Sequence, residues 1–174
     1  MSPSFYSAID WSRAWYASIH AAALNIIHAP HWRAALNAQA ARLALCNQRG
    51  LPLSFVPQEN LPEGIAYEAF IGATGGVPTR ENLHDFFNAL VWLSFPRIKR
   101  QLNALQAAQI ALAGIGKSRG NARDAATIFD ENAALIVVRD APQGRALLDA
   151  LRSHRWRDAF LGQRAAFEIG RAHV

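Results

Sequence analysis

One stretch, VPTRENLHDFFNALVWLSFP from Val77 to Pro96, constrains this chain more than any other. At about 100° per residue, Leu83, Phe86, Phe87, Leu90 and Leu93 share one side of a helix and are expected to face a core. Glu81, His84, Asp85 and Asn88 fall on the opposite side, with Trp92 and Phe95 one and two turns further along it. A plain solvent face would not carry Trp and Phe there, so the pattern predicts a polar cleft walled by aromatics. Thr79 is the expected N-cap, with Asn82 the rival, because either side chain can accept from an orphan amide. Pro96 breaks or kinks a helical region expected over 79–113.

The rest of the chain reads as mainly helical with a small sheet. Helices are expected over 11–28 and 31–47, separated by Ala29-Pro30. Leu53 to Val56 reads as a short strand, Gln58 to Gly64 as a loop, and Ala66 to Ile71 as a second strand before the GATGG turn. Gly114 to Asn121 is expected to be a loop. Arg123 to Asp130 and Ala134 to Val138 bracket an expected hairpin at Glu131-Asn132, and Gln143 to Phe167 reads as two helices. The fold class is α+β: a helix-rich single domain over 1–167, with a small β-sheet or hairpin.

Composition bounds the function classes. The 174 residues are 51% hydrophobic and 18% charged, which excludes a disordered chain. Net charge is +5, but the basic residues are scattered, which argues against a nucleic-acid interface concentrated on one face. An RNA-binding module using those arginines stays a minor alternative. Cys46 is the single cysteine, so no internal disulfide forms, and a reducing, cytoplasmic setting is expected. The span from Ala14 to Trp32 lacks Asp, Glu, Lys and Arg, yet His20, Asn25, His28 and Pro30 interrupt it. It is read as a buried helix, with no membrane partner expected. Trp11, Trp15 and Trp32 are expected in the core. The tail EIGRAHV, residues 168–174, matches a translated sequencing adapter and is expected to be non-native, with the native C-terminus missing.

Three constellations could carry chemistry. His84 can serve as base, acid or metal ligand, with Asp85 beside it and Asn88 one turn on to fix its orientation. Asp130 and Glu131, placed at the expected hairpin turn, could supply carboxylates for a cation or for proton transfer. Arg119 and Arg123, four apart, could grip a carboxylate or phosphate, and Lys99 and Asn103 lie one turn apart on a helical face that could bind an anion. Each has a plainer reading: His84 hydrogen-bonded and inert, Asp130 and Glu131 ordinary turn residues, Lys99 solvated. GIGKS, Gly114 to Ser118, resembles the end of a phosphate-binding loop. Ala111 stands where that loop needs glycine and a helix precedes it, so no nucleotide-binding motif is assigned. His28 and His31 lack nearby carboxylates and are not expected to bind metal.

The order YEAFIGATGGVPTRENLHDFFNALVWLSFPRIKRQLNALQ, then RGNARDAATIFDEN, then HRWRDAFLGQR, resembles a bacterial family, the domain-of-unknown-function family numbered 3025, over roughly residues 50–167. The resemblance implies no established activity. It implies family polar positions at Thr79, Arg80, Asn82, His84, Asp85, Asn88, Lys99, Asn103, Arg123, Asp124, Asp130 and Glu131. Two departures stand out: Ala133 where the family tends to have glycine, and the tail where the family continues with a GHALLEK-like stretch.

Two functional classes follow. In the first, a small enzyme or metal- or anion-binding domain uses His84, Asp85, Asn88, Asp130 and Glu131 for chemistry. Arg80, Lys99, Asn103, Arg119 and Arg123 then bind a small or anionic ligand, a divalent metal is an option, and a hydrolytic or phosphoester reaction is expected. In the second, a non-catalytic interaction domain keeps the same residues as a buried network. Convergence on an open pocket favours the first; mutual burial and satisfaction favours the second. The oligomeric state is not legible.

Overall fold

A computed structural model describes residues 4–113, 120–132 and 136–166. The chain divides into two compact units, Met1–Asn132 and Ala133–Val174. In the first, α1 (Ala17–Ile27) and α2 (Trp32–Arg42) precede β1 (Ser54–Val56). Next come α3 (Tyr67–Thr74), β2 (Gly76–Pro78), α4 (Leu83–Ser94), α5 (Pro96–Ala113) and α6 (Asn121–Asn132). The fold is helix-rich α+β. Among the described residues, no helix is long and apolar enough to cross a membrane.

The sheet consists of β1 and β2 in parallel, with Phe55 opposite Val77. Parallel strands need a crossover, and α3 supplies it. Gly75 ends α3 in the left-handed region at φ 78°, and a Cβ there would lie 2.3 Å from the Pro52 carbonyl oxygen. Glycine alone satisfies both demands. On the outer edge of β1, the Asn37 side chain takes over the ladder. Its Nδ2 donates to the Phe55 carbonyl at 3.0 Å and its Oδ1 accepts the Phe55 N–H at 2.6 Å. Buried Asn47 fastens the 47–51 turn to α3, donating to the carbonyls of Ile71 and Gly72 and accepting from Arg49 and Leu51.

The core gathers Ile26, Leu36, Phe55, Ile71, Val77, Phe86, Leu90 and Trp92. In α4 the apolar positions recur at helical spacing, and Phe86, Leu90 and Leu93 are buried as that spacing requires. Leu83 differs: it stands in the first turn, where the helix leaves the core, and is 44% exposed. Trp92 also differs, lying 2% exposed inside the core rather than on a cleft wall. Trp15 is exposed, while Trp11 and Trp32 pack against the core.

Two expected strands are helices. Ala66 to Ile71 falls mostly in α3, and Arg123 to Asp130 lies within α6. Asp130 and Glu131 therefore stand on a helix, not at a hairpin turn. Neighbouring helices decide both cases, since α3 packs on α5 and α6 runs along it. The second unit contains α7 (Pro142–Arg152), which opens on proline as helix starts favour. It buries Leu147 and Ala150 with Ala159. The expected loop residues 114–119 and the tail 168–174 lie outside the described residues.

Candidate functional site

The site begins at the loop that launches α4. Two α2 side chains hold this loop: Arg33 donates to the Thr79 carbonyl at 3.0 Å, and Trp32 Nε1 donates to Glu81 at 3.4 Å. Asn82, not Thr79, is the N-cap, its Oδ1 accepting from the Asp85 N–H at 2.8 Å. Thr79 is buried and its hydroxyl donates to the Val77 carbonyl. With Asn82 as cap, Asp85 falls in the first turn, where the helix dipole favours a negative charge.

The Asp85 carboxylate turns back onto the loop. Oδ2 accepts from the Arg80 backbone N–H at 2.8 Å and from Arg80 Nε at 2.9 Å, while Oδ1 accepts from Arg80 Nη2 at 3.1 Å. His84 Nδ1 lies 3.0 Å from the same Oδ1. Burial pushes the Asp85 carboxyl up, but the side-chain hydrogen bonds from Arg80 and His84 and the Arg80 backbone N–H outweigh it, holding the group down at about 2. Asp85 is thus ionised at neutral pH and can only accept. His84 Nδ1 must therefore carry the proton, which leaves Nε2 of the neutral ring as an acceptor. The His84 side chain is 69% exposed.

A second group runs beside this dyad as one hydrogen-bonded chain. Asn88 Nδ2 donates to the Tyr67 hydroxyl at 3.0 Å, and Lys99 Nζ donates to Asn88 Oδ1 at 2.7 Å. The same Nζ reaches both oxygens of Asp130, at 2.8 and 2.6 Å. It also sits 5.5 Å from the centre of the Trp92 ring. Burial, together with the charge of Glu68, raises the Tyr67 phenol far above its ordinary value, so it stays neutral. Lys99 is 5% exposed, contrary to the solvated position usual for lysine.

Both groups open on one cavity of about 780 Å³. Of the residues singled out from sequence, Arg80, His84, Asp85, Asn88, Asp130 and Glu131 line it. Lys99 and Asn103 line a narrower void that shares Tyr67, Glu68, Gln106 and Asp130 with the cavity. Asn103 donates through Nδ2 to the Glu68 carbonyl and carboxylate. Arg123 is buried but lines neither space. Arg119 lies outside the described residues. The expected aromatic wall is rearranged: Phe87, read as core, lines the cavity, while Trp92 lines the narrower void.

Sequence reasoning missed Tyr67, Glu68 and Gln106. The first two fall in the strand expected over Ala66 to Ile71, which lies mostly in α3. Gln106 stands seven residues after Lys99 and three after Asn103, so an i, i+4, i+7 polar stripe on α5 was the signal for it. Among the described residues, no group of three or more His, Cys, Asp and Glu is arranged to hold a metal ion.

The fold and cavity define a helix-rich α+β protein with an open polar cavity built around a fixed Asp–His pair. Residues 53–173 match the family described as protein of unknown function (DUF3025), and the chain belongs to that family. No curated protein and no solved structure matches it.

Proposed function

We propose that the cavity is the active site of a small enzyme in which His84 Nε2 acts as general base, hydrolysis being the reaction class. The observation that carries this reading is the clamp on Asp85. Arg80 keeps the carboxylate ionised and fixed, and the carboxylate keeps the imidazole in the tautomer whose Nε2 accepts a proton. An ionised partner also stabilises the imidazolium that forms after proton transfer. The water deprotonated in this way, as its oxygen attacks the substrate, would stand in the cavity that His84 shares with Asn88, Asp130 and Glu131. Asp130 is committed to Lys99 and serves as a fixed charge. The His84 imidazolium then returns that proton to the leaving group, and Glu131, exposed on α6, adds a second carboxyl group to the cavity wall.

The test is turnover of chromogenic esters, amides and phosphoesters by the full chain. His84→Ala should lower turnover of the accepted class by about 10²–10⁴-fold. Retention of turnover in His84→Ala, or no turnover with any class, sinks the reading.

A second reading draws on the Tyr67–Asn88–Lys99–Asp130 chain, which is part-buried around Lys99 and mutually paired as a structural network would be. In it, the same residues specify the fold of an interaction domain. Full loss of turnover in a His84→Ala protein with unchanged stability would count against it.

A further inference from the structure

We infer that the cavity takes a substrate carrying a protonated amine or guanidinium, received on the side built by Glu68, Gln106, Asp130 and Glu131. The inference rests on the cavity being a ligand site and adds the class of ligand. Its first support is charge. Among the described residues, the two spaces are lined by four carboxylates, those of Glu68, Asp85, Asp130 and Glu131, against the cations Arg80 and Lys99. Each of those cations already faces a carboxylate through two contacts, Arg80 on Asp85 and Lys99 on Asp130. An incoming anion would meet two neutralised cations inside a negative surround. A cation would meet the reverse.

The second support is independent of charge. Gln106 lines both spaces, is 3% exposed, and its Oε1 has no partner among the described residues. A buried carbonyl oxygen without a donor is costly, and native chains keep such groups where something else supplies the hydrogen. Ammonium and guanidinium groups are all donor and no acceptor, the complement of an orphan acceptor beside carboxylates. Tyr67 and Phe87 add aromatic rings to the lining, and ring faces attract cations.

The experiment titrates the full chain with n-butylammonium and with methylguanidinium. n-Butanol, butyrate and inorganic phosphate serve as controls at equal ionic strength, with amide chemical shifts and melting temperature as readouts. The cations should raise the melting temperature and shift amides of α3, α5 and α6. Glu131→Gln, a change at an exposed side chain, should weaken their binding about tenfold, and Gln106→Leu should do likewise. Cations that fail to bind, or that bind no better than butanol, butyrate or phosphate, overturn the inference. So does unchanged affinity in Glu131→Gln. Cation binding without turnover of any substrate class would remove the catalytic reading and leave this one standing. Turnover that the cations do not inhibit would do the opposite.

Discussion

Lys99 and Asp130, separated by 31 residues of sequence, meet with the ammonium within 2.8 Å of both carboxylate oxygens. The lysine side chain is 7% exposed and the aspartate 20%. Removing one partner leaves the other charge without its counter-ion in a largely desolvated place, which costs up to about 3–5 kcal/mol. Lys99→Met and Asp130→Leu should each lower the denaturant midpoint by that equivalent. The double variant should recover much of the loss, because an apolar pair leaves no stranded charge. Strict additivity of the two single losses would contradict the pairing.

Asp85 gives the fold an acid limb. Its folded pKa of about 2 lies below the ordinary value of 3.8, so folding favours the ionised form. The resulting stability is fully present above about pH 4 and fades as pH falls toward 2. Its size is about 2 kcal/mol. Stability curves for the native chain and Asp85→Asn should diverge above pH 4 and converge below pH 2. Parallel curves throughout would refute the assignment.

Asn82, rather than Thr79, caps α4, and the two can be told apart. Asn82→Ala should cost about 1 kcal/mol and slacken the Asp85 carboxylate, since it removes the acceptor of the Asp85 N–H. Thr79→Val keeps the buried volume and loses the hydroxyl's bond to the Val77 carbonyl. It should leave the ring signals of His84 in place, whereas Asn82→Ala should move them.

Gly75 and Gly64 have nearly the same backbone angle, φ 78° and 77°, in different surroundings. At Gly64 an added Cβ meets nothing within 4 Å, so alanine should cost only the left-handed penalty of about 1–2 kcal/mol. At Gly75 it would lie 2.3 Å from the Pro52 carbonyl oxygen, and the β1–β2 pairing would have to shift. Thermal unfolding should show Gly75→Ala losing distinctly more than Gly64→Ala; equal losses would mean the contact relaxes freely.

Much of α4 was readable in advance because its apolar spacing and its candidate caps agree over a long segment. The grouping of His84, Asp85 and Asn88 on one face followed from that same spacing. The α3 segment misled because eight residues containing Tyr67, Phe70 and Ile71 fit a strand period as well as a helical one. Only its packing on α5 chooses between them. In α6, Asp130, Glu131 and Asn132 carry ordinary turn chemistry, and nothing local reveals the lysine waiting 31 residues upstream. Gln106 lay in a stretch already marked as helical, but its role depends on α3 and α6 packing against α5, which no single segment encodes.

The Asn37 amide has a consequence for association. Parallel pairing uses Ser54 and Val56 toward β2, which turns the Phe55 N–H and C=O outward. Those two groups would form a docking rung for any passing extended chain. Asn37 occupies both of them at once, so a third strand finds no free rung at the centre of β1. A two-stranded sheet that would otherwise invite growth is thereby closed by a single side chain, and Asn37→Leu should turn this edge into a seed for intermolecular β-structure.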